Sequence, residues 1–138
     1  MSTKINKQYR RNAAYVRVAG YIPGLETRQF SFELECRIDT GFDGGIFIPS
    51  RYKSDLDIIG VEPSISNVTL ADGSKIAAYI CAAYILKMDK CAFLPPGKPI
   101  EVIICGIREG QLLGMDTLKY CTAFFDGINQ NLTIELAS

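Results

Sequence analysis

The chain has 138 residues, about one domain's worth, of which 48% are hydrophobic and 22% charged, a composition that supports an apolar core and excludes a disordered polymer. Fifteen Lys and Arg balance fifteen Asp and Glu, so there is no net field to hold nucleic acid or an anionic membrane surface. The absence of histidine removes Ser-His-Asp and Cys-His catalysis and every His-ligated metal site, leaving carboxylates, hydroxyls, thiols, amines and the backbone to carry any chemistry.

Residues 1–12 carry Lys4, Lys7, Arg10 and Arg11 with little apolar content. They read as a basic, flexible, solvated arm, with a docking tail as the sharper alternative. The arm has no apolar stretch of signal-peptide type, and no window approaches the 18 apolar residues of a membrane span. Residues 13–138 read as one domain. Tyr15 to Ala19 alternates like a strand, and Pro23-Gly24 is a turn. Phe30 to Ile38 alternates again, with Phe30, Phe32, Leu34, Cys36 and Ile38 on one face and Ser31, Glu33, Glu35 and Arg37 on the other.

That strand runs into Asp39-Thr40-Gly41 and a glycine-rich loop, Phe42-Asp43-Gly44-Gly45. Ile46 to Ile48 is a short strand stopped by Pro49, and Ser50 is positioned to cap a short helix reaching Ile58. Residues 65–70 and 75–86 form a long hairpin with Asp72-Gly73 at its turn. A proline-rich loop, 89–99, precedes a strand from Ile100 to Cys105. Gln111 to Tyr120 starts apolar and continues as a helix of two to three turns, and a hairpin over 121–136 closes the chain. Many short strands and one C-terminal helix predict an all-β fold, a small closed barrel.

The five cysteines, Cys36, Cys81, Cys91, Cys105 and Cys121, form no CxxC pair and sit mostly in apolar stretches. They read as small buried hydrophobes, and free thiols with no secretion signal point to the cytoplasm. A thiol enzyme built on Cys36 or Cys81 lacks a base partner.

Asp39-Thr40-Gly41 is the feature that decides function. A given triplet of this kind arises by chance in roughly one chain of this length in a few tens, and the simpler account is an ordinary turn. Its context adds weight: a strand delivers the aspartate, and glycines follow where a ligand or backbone could approach closely. A single carboxylate cannot be both general base and general acid to one water and one carbonyl. Two carboxylates sharing a proton can. Since the chain has one such triplet, this chemistry requires a second copy and a two-fold axis beside Asp39.

Three segments, in order, resemble the retropepsin-like aspartic proteases, and more closely their small single-domain prokaryotic branch. They are residues 36–44 (CRIDTGFDG), 68–74 (VTLADGS) and 111–118 (QLLGMDTL), which together extend over most of residues 13–136. The resemblance implies an acid-protease barrel, a homodimer, a peptide or protein substrate, and no metal or cofactor. It implies that Asp39 is the catalytic aspartate, that Thr40 hydrogen-bonds across the dimer axis, and that Gly41 admits the substrate backbone. Phe42, Asp43 and Gly44 would border the substrate, Asp43 being equally a solvated loop acid. Asp72 and Gly73 would sit at the tip of a flap, Asp-Gly being equally a common hairpin turn. Leu112, Leu113 and Gly114 would pack beneath the loop.

Met115-Asp116 stands where viral members commonly have Arg-Asn, which argues against a viral-style ion pair to Asp43. The strand 132–136 is a candidate edge for the dimer sheet. Phe42, Ile46, Phe47 and Ile80 would form apolar walls that favour hydrophobic substrate side chains. The alternative function is a noncatalytic dimeric peptide-binding or assembly module on the same fold.

Overall fold

In the computed structural model, residues 3–69, 72–93, 96–106 and 110–136 are described. Their strands are β1 (Thr3–Gln8), β2 (Tyr15–Pro23), β3 (Gln29–Ile38), β4 (Ile46–Pro49), β5 (Ser64–Thr69), β6 (Lys75–Met88), β7 (Cys91–Ala92), β8 (Pro99–Cys105), β9 (Gln111–Leu113), β10 (Cys121–Asp126) and β11 (Asn131–Leu136). Two short helices, α1 (Lys53–Ile58) and α2 (Met115–Leu118), complete the set. Leu70 and Ala71, part of the expected flap, lie outside the described residues. No described helix is long and apolar enough to cross a membrane.

Six strands close into a barrel in the order β2-β3-β9-β4-β8-β6, with β6 pairing back onto β2. The expected all-β barrel is therefore present. The 14-residue β6 serves four neighbours: β5 along its first part, β8 in the middle, and β2 and β7 at its end. The register shifts between Ala19 and Gly20 where β2 meets β6, and such an irregularity bends a strand enough to close a small barrel.

Period-two alternation fills the interior. Phe32, Leu34, Cys36 and Ile38 of β3 all point inward, joined by Ile46 and Ile48 of β4, Leu113 of β9 and Ile104 of β8. Leu56 of α1 is fully buried and seals the barrel. Ser50 does not cap this helix as expected. It opens a 3-10 turn, Ser50–Tyr52, that leads into α1 with no side-chain cap.

Beside the barrel lies a three-stranded antiparallel sheet, β1-β11-β10. Leu132, Ile134 and Leu136 are fully buried beneath it with Ile5, each contributing roughly 1.5–3 kcal/mol of hydrophobic stabilisation. This corrects two expectations. Residues 3–8 are no solvated arm but a strand, registered from Thr3 opposite Leu136 to Gln8 opposite Asn131. Its hold is polar as well as apolar: Thr133 Oγ1 donates to Asn6 Oδ1 at 2.8 Å and Lys7 pairs with Asp89 at 3.0 Å. Strand β11 is accordingly the centre of its sheet and not an edge awaiting a partner.

Segment 111–120 is also not a two- to three-turn helix. Gln111–Leu113 is a strand, and only Met115–Leu118 is helical. The apolar opening of the segment is claimed by the barrel, where β9 inserts between β3 (parallel) and β4 (antiparallel). The connection from β3 to β4 must therefore span two inter-strand spacings, roughly 9.5 Å, across the end of β9.

Candidate active-site loop

That connection is residues 39–45, and its backbone is tied to β9 and α2 throughout. Asp39 N–H donates to Leu113 O at 2.9 Å, Gly114 N–H to Gly45 O at 2.9 Å, and Met115 N–H to Phe42 O at 2.8 Å. Asp116 N–H reaches Gly44 O at 3.2 Å, and the buried Thr117 hydroxyl donates to Gly45 O at 3.1 Å. On the other side, Gly45 N–H donates to Glu101 O of β8 at 2.9 Å. Such a loop is fixed by secondary structure on both flanks.

Asp39 is half-buried at the end of β3. Its Oδ1 accepts the Gly41 N–H at 2.9 Å, and its carbonyl accepts the Phe42 N–H at 3.2 Å. Thr40, Gly41 and Asp43 are exposed, while Gly44 is buried. Among the described residues no cation lies in ion-pair range of Asp43. Asp116 instead faces β8: its Oδ2 accepts the Glu101 N–H at 2.8 Å and its Oδ1 the Lys119 ammonium at 2.7 Å. Burial pushes the Asp116 carboxyl up, but these two donors and the Lys119 charge outweigh it and hold the carboxyl below its ordinary value.

Phe42 is half-buried, edge-on to Phe47 with ring centroids 6.1 Å apart. Both belong to a second apolar cluster, outside the barrel core, of Phe47, Ala78, Ile103, Cys105 and Leu112, against which Phe42, Val68, Ile76 and Ile80 pack. The cluster joins the Asp39 loop to the β5–β6 hairpin. Ile46, expected among these walls, belongs instead to the barrel core, because alternation along β4 sends it inward and Phe47 outward. Sequence reasoning missed Ile103, Val68 and Ile76 here. The period-two alternation of β6, which puts Ile76 on the face of Ala78 and Ile80, carried a signal for Ile76.

Asp72 and Gly73 lie at the exposed β5–β6 turn. Gly73 has φ +87°, a left-handed value suited to glycine. Asp72 Oδ1 accepts both the Ser74 hydroxyl at 2.5 Å and the Ser74 N–H at 2.9 Å. The hydroxyl first, then the N–H, hold the Asp72 carboxyl below the usual range. Asp39 to Gly44 thus form one braced unit, while Asp72 and Gly73 stand apart on the hairpin, with no hydrogen bond between the two groups among the described residues.

Among those residues, no three carboxylate or thiol side chains converge as metal ligands would. A concavity of about 480 Å³ opens away from Asp39, along β1, and is lined by Lys4, Lys7, Arg17, Glu33, Glu35 and Asp89 among others; its charges largely offset one another. The chain matches no known family model and no curated protein.

Proposed function

We propose that the chain is an aspartic endopeptidase that works as a homodimer, as its resemblance to the retropepsin-like proteases implies. The observation that carries this reading is the bracing of the Asp39 loop. A half-buried carboxylate, one oxygen already held by a backbone N–H, sits on a segment tied to three other elements. Buried backbone groups such as those of Gly44 and Gly45 need partners in any loop; a proton-sharing pair further needs each carboxylate fixed, and this bracing supports that need.

In this reading two Asp39 carboxylates, one per protomer, share one proton because two adjacent negative charges are costly. The ionised partner takes a proton from water as the water oxygen bonds to the scissile carbonyl carbon. The protonated partner gives its proton to the carbonyl oxygen. The first carboxyl then gives that proton to the amide nitrogen, while one hydroxyl of the tetrahedral diol returns a proton to the other carboxylate. The C–N bond breaks, an amine and a carboxylic acid leave, and the shared proton is restored. Thr40 acts across the two-fold axis, and Gly41 lets the peptide backbone approach. The peptide lies as an added strand between the loop and the β5–β6 hairpin, with Phe42, Asp43, Gly44, Asp72 and Gly73 around it. The apolar cluster spanning loop and hairpin favours hydrophobic side chains. Five free thiols support the cytoplasm as its compartment.

Asp39→Asn tests the reading, because the amide keeps an Oδ1 acceptor for Gly41 while losing the proton chemistry. Cleavage of a peptide library should fall by about 10³-fold or more, the dimer should persist, and a statine-type peptide mimic should block the parent enzyme. Undiminished cleavage by the variant overturns the assignment. A parent chain that binds peptides and cuts none is the noncatalytic module.

A further inference from the structure

The sheet β1-β11-β10 leaves the outer edge of β1 unpaired among the described residues. Tyr9 N–H donates to Gln130 O at 2.7 Å, and residues of an antiparallel pair alternate between bonding their partner and facing away from it. Along the β1–β11 register, that alternation turns the N–H and C=O of Lys4, Asn6 and Gln8 to the open side. A groove follows this side. Two adjoining concavities, of about 480 Å³ and about 230 Å³, run along β1 from Lys4 to Arg10 and share Lys7, Tyr15 and Glu35. The edge of β1 forms one wall, and outward side chains of β2 and β3 form the other. Six residues of β1 give the groove a length of about 20 Å. It shares no lining residue with the Asp39 loop or the β5–β6 hairpin.

The charges along the groove pair off, with two left over. Lys7 meets Asp89 at 3.0 Å, Arg17 meets Glu33 at 3.8 Å, and Arg10 meets Glu35 at 2.5 Å. Lys4 and Lys90, both exposed on the larger concavity, make no ion pair among the described residues. Lys4 stands opposite Glu135 in the strand register without pairing with it. Two uncompensated ammonium groups therefore lie beside a row of unpaired backbone donors and acceptors. Lysines on an edge repel a second copy of that same edge. A nucleic acid has no ladder of N–H and C=O groups to match it. An extended peptide with a few carboxylates meets both demands.

We propose that this groove is a docking site for an acidic, extended segment of a partner protein, which adds to the edge of β1 as a further strand. The backbone of the segment bonds to Lys4, Asn6 and Gln8, and its carboxylates meet Lys4 and Lys90. Main-chain pairing would hold any extended peptide; the two lysines select an acidic one. Tyr15, half-buried and lining both concavities, offers the segment an apolar surface, and the Arg10 guanidinium lies 4.2 Å from its ring centroid. The site is separate from the Asp39 loop, so it stands whether or not the chain cuts peptides.

The test is fluorescence anisotropy with fluorescein-labelled Glu-Thr-Glu-Thr-Glu-Thr, on the full chain carrying Asp39→Asn so that no probe is cut. The comparison adds Lys4→Glu and Lys90→Glu to the same chain. Both side chains are exposed and unpaired, so the melting temperature should not change. Binding of the acidic probe should weaken by about tenfold or more, and a Lys-Thr-Lys-Thr-Lys-Thr probe should now bind better than it does without the substitutions. Bound acidic probe should slow amide hydrogen exchange at Lys4, Asn6 and Gln8. Probes with alternate amides N-methylated, in either phase, should lose affinity in the phase that faces β1. Absence of saturable binding, equal binding with and without the two substitutions, or protection confined to the β5–β6 hairpin overturns the site. Undiminished binding of both N-methylated probes overturns strand addition. A six-nucleotide oligothymidylate that displaces the peptide at lower concentration than the unlabelled peptide does overturns the choice of partner.

Discussion

Gly114 donates its N–H to Gly45 O at 2.9 Å, and at that distance the site has no room for a side chain. A Cβ on Gly114 would overlap the Gly44 carbonyl oxygen and the Phe42 ring, and would lie 2.5 Å from the Phe42 carbonyl oxygen. Two of these three obstacles are backbone atoms of the Asp39 loop and cannot rotate away. Gly114→Ala should therefore cost about 3 kcal/mol of stability, at the upper end of overpacking effects, and displace the loop so that cleavage per folded molecule also drops. Gly127→Ala is the control: nothing lies within 4 Å of its added carbon, and its effect should stay within about 0.5 kcal/mol. Urea unfolding of the two variants checks this, and equal midpoints would contradict it.

Gly20 does for the barrel seam what Gly114 does for the loop. Its added Cβ would overlap the Tyr84 carbonyl oxygen and lie 3.1 Å from both Ile85 Cα and Phe32 Cζ, at the register shift between β2 and β6. Gly20→Ala should lower stability by about 2–3 kcal/mol. Hydrogen exchange should show amides on the β2–β6 seam losing protection before those of β4 and β8, and uniform loss across the barrel would argue against a local seam.

How much of this was legible in the sequence depended on the length of each signal. Strand β3 was readable because five apolar residues alternate without a break from Phe30 to Ile38. Its end at Asp39 followed. Strand β9 and α2 are three and four residues long, too short for either periodicity to separate them. The position of β9 between β3 and β4, which braces the Asp39 loop, is a tertiary fact with no local trace. Strand β1 has one inward apolar residue, Ile5, and its partner lies more than 120 residues away, so its basic composition pointed to solvent. The roles of Asp116 and Thr117 follow from the same insertion.

The cysteines offer a direct test against thiol chemistry. Burial, with a smaller push from Glu35, raises the Cys36 thiol to about 12, and burial raises Cys81 and Cys121 to about 11. Nucleophilic reaction needs the thiolate, so at pH 7.5 these three should alkylate slowly with iodoacetamide in the native protein and readily in urea. Peptidase activity should survive the reagent. Rapid native labelling of Cys36 or Cys81, with loss of activity, would favour the thiol-dependent reading.

Asp116 makes acid stability a probe of the loop's bracing. Its ionised carboxylate is held by the Glu101 N–H and by Lys119, and its folded-state value lies below the ordinary aspartate value, about 3.9. A depressed folded value means that the ionised form stabilises the fold. That contribution is complete above about pH 4 and is lost as pH falls through the lower, folded value. Asp116→Asn should therefore be less stable than the parent at pH 7, and the gap should narrow as pH drops below about 4, where the parent carboxylate takes up its proton. Unfolding midpoints in urea at pH 7, 5 and 3 measure this. A gap of constant size at all three would mean that Asp116 contributes through shape alone and not through its charge. Because Asp116 N–H also supports Gly44 O, peptidase activity on the acid side should fall with this stability and not independently of it.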